Sequence, residues 1–406
     1  MFKFLFTLKG NTKACLFTEP LWGIPFNLYG PFVVLYMYHL GVLDIEIGII
    51  MSVGRLVQMV MALLGGVITD KFGRRKTTFI VDCISWSIPM LIWAFSQNFW
   101  WFLAAALING VFPVTSVSWE CLWVDDAEEK QIGPVVNWIY ISGLMAVFFA
   151  PIAGYFVHGY GVVPVMRILY LISFVFMTAK FIILYIYSTE TERGKERMEA
   201  TKDIPMAKML AGYKDVFKQI LQSREMVRVL MMQAIVGVIL MVSGTFFALY
   251  TTQNLSIPEE FMAYFPILRA GIMLAFLLFI QEKLDKFKPC YVMMSGIVLT
   301  ILSLVWLLTA PPHNWIWLVI YIIIDACAMA LILPRIDAQA ASAIDPKERA
   351  RIRSLFNMII LAVSSPFAFF SGWLSDTNRQ LPFVLNLAML GLLALIVLYD
   401  NKNQKK

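Results

Sequence analysis

The sequence predicts an all-α membrane protein of twelve spanning helices, arranged as two halves of six. Three observations carry that prediction. Hydrophobic residues make up 60% of the 406 and charged residues only 15%, with a mean hydropathy of +0.73. A water-soluble chain of this length cannot hide so much apolar surface, so lipid must solvate much of it. Apolar runs long enough to cross a bilayer, which takes about 20 residues, recur along the whole chain. A single long polar segment, 188–225, divides them into six and six.

The runs, taken as spans 1 to 12, lie near 14–38, 46–69, 77–96, 99–123, 135–157, 163–187, 226–251, 261–281, 290–310, 314–336, 353–374 and 381–399. Membrane-crossing strands would alternate in hydrophobicity, and these runs do not. The opening "MFKFLFTLKG" is too short for a secretory signal and has no small-residue cleavage site. Lysine and arginine crowd the N-terminus, the loops after spans 2, 6, 8 and 10, and the final "NKNQKK". The odd-numbered loops have none except Arg379. The positive-inside rule then puts both termini in the cytoplasm. The net charge of +6 reflects this bias and gives no reason to expect nucleic acid.

Five scattered cysteines (Cys15, Cys83, Cys121, Cys290, Cys327) read as buried thiols. The three histidines, His39, His158 and His313, fall in or beside external loops without ligand spacing, so no metal is expected. The expected division is 1–187 for the first bundle, 188–225 for a cytoplasmic linker, and 226–406 for the second bundle. Within the linker, Met206, Met209, Leu210, Tyr213, Val216, Phe217, Ile220 and Leu221 follow helical spacing with lysines between them. That pattern predicts an amphipathic helix on the membrane surface.

The halves repeat. Asp70-Lys71-Phe72 after span 2 matches Asp285-Lys286-Phe287 after span 8. Asp125, Glu128, Ile132, Asn137 and Ile139 recur 220 positions later as Asp345, Glu348, Ile352, Asn357 and Ile359. Six-plus-six repeats around a linker are an architecture of transporters with a site between two bundles.

On these residues the chain resembles the major facilitator superfamily (MFS). "GVITDKFGRRK", with Gly66, Asp70, Lys71, Gly73, Arg74, Arg75 and Lys76, is similar to that family's loop between helices 2 and 3. The resemblance implies the MFS fold and alternating access. It also implies a cytoplasmic gate, a latch between the halves built from Gly66, Asp70 and Arg74. Gly66 would admit a close neighbouring helix, Asp70 would meet a helix N-terminus, and Arg74 would pair with Asp125 or Asp126 at the end of span 4. Span 5 carries "GLMAVFFAPIAGYF", similar to a degenerate antiporter signature of drug:proton exporters; kinking and close packing at Gly143, Pro151 and Gly154 explain the same residues. Span 4 has no arginine where proton-linked members often carry one.

Ionisable residues inside spans are expensive and therefore candidates for function. Arg55, in "MSVGRLVQMVMALLGG", lies about 14 Å along its helix from Glu46 and about 22 Å from Asp70, near mid-depth. Arg269 holds the equivalent place on span 8, about 14 Å from Glu260 and about 20 Å from Glu282. Two guanidiniums facing one cavity would clamp a planar anion; a similar pair is found in the family's nitrate/nitrite porters, whose glycine-rich signatures are absent here. The other reading neutralises the arginines within the protein. Asp325 on span 10 is also near mid-depth, and Glu19 on span 1 is shallower; both are candidate charge partners or proton carriers. Asp82 and Lys180 sit on spans 3 and 6, which tend to be peripheral in the family, and Lys180 is expected to snorkel or pair locally.

Trp22, Asn27 and Tyr29 on span 1, Trp119 on span 4 and Tyr250 on span 7 are candidate substrate contacts. Such a lining favours an aromatic or lipophilic acid over a sugar. No Walker sequence is present, and no nucleophile–base or metal constellation, so neither ATP hydrolysis nor another enzymatic activity is expected. The expected function is secondary active transport of a small anionic or amphipathic organic solute across the plasma membrane, with proton coupling. The alternative is multidrug efflux with structural arginines. The expected partners are the solute, the bilayer and protons; a monomer without cofactor suffices.

Overall fold

The computed structural model describes residues 8–284, 286–343 and 349–403. Asp285, Asp345 and Glu348 of the internal repeats lie outside the described residues, and of Asn137 and Glu282 only the backbone is described. Among the described residues the chain is helical, with no strand.

Among the described residues, ten helices are long and apolar enough to cross a membrane: Asp44–Phe72, Arg74–Ala94, Phe99–Val124, Pro134–Tyr160, Val162–Tyr187, Arg224–Asn254, Pro289–Leu308, Trp315–Ala340, Ile352–Thr377 and Leu381–Tyr399. They correspond to spans 2 to 7 and 9 to 12. The remaining two are helical but interrupted. Span 1 runs as Gly10–Thr18, Pro20–Tyr29, a 3₁₀ turn Gly30–Phe32 and Val33–His39. Its breaks fall at Pro20 and Pro31, where the ring removes an N–H and crowds the preceding turn. Span 8 is a 3₁₀ turn, Glu259–Ala263, followed by the fifteen-residue helix Phe265–Phe279.

Local chemistry sets the boundaries. Asp44 and Glu46 place negative charge in the first turn of span 2, and Glu46 accepts a hydrogen bond from the Leu43 amide at 2.9 Å. The helix stops at Gly73, whose φ of +86° suits glycine, and span 3 starts at the next residue. Spans 3 and 7 contain π-helical turns, Cys83–Ser87 and Tyr250–Asn254, that hydrophobic periodicity does not reveal.

Spans 2 and 11 pack against each other along most of their length. A Cβ on Gly48 would meet Gly372 Cα at 2.8 Å and Ala368 O at 2.9 Å, so the backbones touch there. Further along the same seam Ser365 donates to Ser52 O at 2.9 Å, and Ser354 donates to Ala62 O at 3.1 Å.

The linker differs from the surface helix expected. It forms three short helices, Glu192–Thr201, Met206–Ala211 and Tyr213–Gln222. The last buries Val216 and Ile220 against Met226, Val229, Ile352, Leu355 and Phe356, leaving Phe217 and Leu221 exposed. Its buried stripe packs on the second half of the chain.

Candidate functional site

Span 2 carries Arg55 to the seam with span 11, where its Nη1 donates to Ser364 Oγ at 3.2 Å. The side chain is half-buried, and no carboxylate among the described residues lies within ion-pair distance. Arg269 has a different partner. Its Nη2 is 3.1 Å from Asp325 Oδ2, with Asp325 buried and Arg269 partly open. The two arginines thus differ in kind: one bonds a neutral hydroxyl across the seam, the other a carboxylate within its own half.

A second charged cluster lies inside the first half. Lys180 Nζ is 2.9 Å from Glu19 Oε2, and both are largely shielded from solvent. The ammonium also sits 5.8 Å from the Trp22 ring and 5.7 Å from the Trp119 ring, within cation–π range. Asp82 is buried nearby, beside Thr115 and within electrostatic reach of Lys180 and Glu19. Lys180, 5% exposed, pairs locally with Glu19, and Asp82 is 6% exposed, so both charges face the interior of their half. Residue type marked both as costly in a span; their helix numbers argued against them.

Two aromatic candidates turn inward, and a polar one bonds within its own helix. Tyr29 is buried against Tyr170 and Phe26. Tyr250, in its π turn, is buried against Phe383 and donates to Leu307 O at 3.4 Å. Both pack the interiors of their own halves, because an aromatic ring with a satisfied or enclosed hydroxyl fills core volume. Asn27 donates to Gly23 O on its own helix at 2.8 Å.

At the linker end, Arg74 Nε bonds Asp125 Oδ2 at 3.0 Å, and Arg74 Nη1 is 3.5 Å from Asp70 Oδ1. Thr191 Oγ1 donates to Asp125 at 3.1 Å, and Arg197 Nε is 3.4 Å from Asp70. Glu190 accepts the Arg74 and Arg75 amides at 2.9 and 3.0 Å, which ties the start of the linker to the start of span 3. Among the described residues, this cluster joins the first half to the linker and draws no side chain from spans 7 to 12. Asp126 belongs elsewhere: it accepts the Asn11 amide at 2.8 Å. Gly66 faces the linker's Tyr213, whereas its neighbour Gly65 faces span 4 at Pro113, Val114 and Val117.

The face opposite the linker holds contacts not anticipated from sequence. His39 Nε2 is 2.6 Å from Glu259 Oε1, and His158 Nδ1 is 2.9 Å from Glu260 Oε1. Arg379 Nε and Nη2 bond both Asp44 oxygens at 2.9 and 3.2 Å. Each pair joins the first half to the second. The hydrogen bond to Glu259 holds the His39 imidazole above its ordinary pKa. Arg379, the one exception to the charge bias, was the available signal. Gly154 packs here too, with Glu260 O 2.9 Å from where its Cβ would stand, which supports close packing for that glycine.

The family's sequence profile, described as Major Facilitator Superfamily, matches residues 21–365. The chain belongs to the Major Facilitator Superfamily. Among its relatives, the multi-drug resistance efflux pump PmrA of Streptococcus pneumoniae is 25% identical over 203 residues, 48% of this chain and 50% of PmrA. The multidrug resistance protein MdtG of Salmonella paratyphi C is 26% identical over 175 residues, 40% of this chain and 43% of MdtG. The chain therefore matches about half the length of these relatives or less. Solved transporter structures cover nearly all of it. The nucleoside transporter NupG aligns with a TM-score of 0.71 at 15% identity, over 96% of this chain and 99% of that one. A POT family transporter in complex with 5-aminolevulinic acid aligns with a TM-score of 0.73 at 12% identity, over 96% and 94%. At such identities the likeness concerns the fold.

Proposed function

We propose that this MFS protein is a secondary active transporter that moves a small amphipathic organic anion by alternating access, coupled to protons. The bundles 1–187 and 226–406 would rock about the seam of spans 2 and 11, with the linker and termini in the cytoplasm. Arg55 carries the reading. A guanidinium at mid-depth is costly, and the Ser364 hydroxyl supplies a hydrogen bond without a counter-charge. An anionic solute brings that missing charge, and the planar guanidinium suits a carboxylate. Arg269 is 35% exposed while paired to Asp325, so N–H edges remain for the same ligand. Trp22 and Trp119 would supply an aromatic wall. The efflux names of PmrA and MdtG favour export.

Those names also favour a second reading: a polyspecific drug exporter in which Arg55 and Arg269 are structural. A thermal-shift screen of the purified protein separates the two. Aromatic carboxylates such as salicylate should raise the melting temperature of the wild type and have no effect on Arg55→Ala, with a reduced effect on Arg269→Ala. Stabilisation by lipophilic cations, with acids inert or equally effective on both variants, would establish the second reading instead.

A further inference from the structure

The charged cluster in the first half is unbalanced, and the imbalance has a direction. Lys180 is the cation; Glu19 and Asp82 are two carboxylates. Lys180 closes on Glu19 at 2.9 Å. Asp82 is 6% exposed and has no cation within ion-pair distance among the described residues. The groups within electrostatic reach of Asp82 are Lys180 of span 6, the Thr115 hydroxyl of span 4, and Glu19 and the buried Cys15 thiol of span 1. Fully ionised, the cluster would carry one uncompensated negative charge in a low-dielectric interior, a state that a buried carboxylate avoids by binding a proton. The pair Arg269–Asp325 in the other half is matched one to one and has no such excess.

From this charge count and burial we propose that Asp82 holds an exchangeable proton, with Lys180 as the shared counter-ion that decides which carboxylate is ionised. In the resting arrangement Lys180 neutralises Glu19, and Asp82 keeps its O–H. If Lys180 swings to Asp82, that proton leaves and Glu19 becomes the acceptor on the more open side, since Glu19 is 17% exposed at its side chain. Asp82 stands immediately before the π turn Cys83–Ser87; such turns break helical regularity and occur often at functional sites. This rests on the transport reading only for the use made of the proton, and it selects the first half over Asp325 as the site of coupling.

The test needs neither substrate nor flux. Infrared spectra of the full-length protein in lipid, taken in D2O at neutral pH, report protonated carboxyl groups through a C=O band separate from the carboxylate bands. Asp82→Asn should lose one carboxyl's worth of that band. Glu19→Gln should lose it too, because Lys180 then neutralises Asp82. Asp325→Asn should keep it. A band unchanged in Asp82→Asn overturns the proposal, as does a wild-type band that sodium abolishes, which would make this a cation site. Should Asp82→Asn fail to fold, Asp82→Ser takes its place in the same measurement. Absence of transport by the wild type, with the band behaving as expected, would count against the transport reading and leave the proton site standing.

Discussion

Asp44 at the start of span 2 and Arg379 beyond span 11 are joined by two hydrogen bonds, at 2.9 and 3.2 Å, and Ser375 adds a third to the same carboxylate at 2.7 Å. Asp44 is 3% exposed. Arg379→Ala leaves that buried carboxylate short of donors, a loss of about 1–3 kcal/mol. A lower melting temperature should result, partly restored by Asp44→Asn in the same chain. A melting temperature unchanged by Arg379→Ala would show that the pair does not hold the halves together.

The His39–Glu259 pair gives that face a pH dependence. A histidine whose pKa is raised in the folded state stabilises it below the unfolded value, near 6.5, and loses that contribution as pH rises through the folded value. His39 is partly exposed, so the effect is modest, about 0.2–1 kcal/mol. Spin-label distances between the ends of spans 1 and 8 should lengthen as pH is raised from acid to alkaline, and His39→Gln should flatten the response. An opposite slope would exclude this pair as the cause.

Lys180 is buried and Glu19 largely shielded, so removing one partner should be worse than removing both. Lys180→Met alone should destabilise by about 3–5 kcal/mol, with Lys180→Met/Glu19→Gln much nearer the wild type. Equal stabilities for single and double variants, measured by thermal unfolding in lipid nanodiscs, would argue that the two side chains do not interact.

Gly48 meets span 11 backbone to backbone, with Gly372 Cα 2.8 Å from the position of an added Cβ. Backbone cannot yield as a flexible side chain does, so Gly48→Ala should wedge spans 2 and 11 apart on the face opposite the linker. Cysteine accessibility at Ser375 should then increase several-fold; unaltered accessibility would mean the helices slide to absorb the methyl group.

Much of the fold was legible because a bilayer demands long apolar helices, and runs of that kind are hard to disguise. Spans 1 and 8 were legible as apolar runs but not as broken helices, although Pro20 and Pro31 mark the breaks in span 1. Arg74 and Asp125 could be paired from sequence because both end spans on the same side. Asp125 and Asp126 could not be told apart, since adjacent residues on a helix end point about 100° apart and only the packed neighbours decide. Lys180 was underweighted for a related reason: which face of span 6 turns inward depends on spans 1 and 3, not on its own sequence. Tyr29 and Tyr250 looked like cavity residues because amphipathic rings serve cores and ligand sites equally well. The histidine–glutamate pairs depend on how two halves more than 100 residues apart meet, which no local pattern encodes.

Arg55, bonded to a neutral hydroxyl, awaits an anion. Flux of the aromatic carboxylate that stabilises the protein best, followed in proteoliposomes under an imposed pH gradient, tests it most directly. The account predicts gradient-dependent flux in the wild type and at least a roughly tenfold loss in Arg55→Ala, equivalent to about 1.4 kcal/mol of binding, with Ser364→Ala retaining most of the activity. Undiminished flux in Arg55→Ala would contradict it.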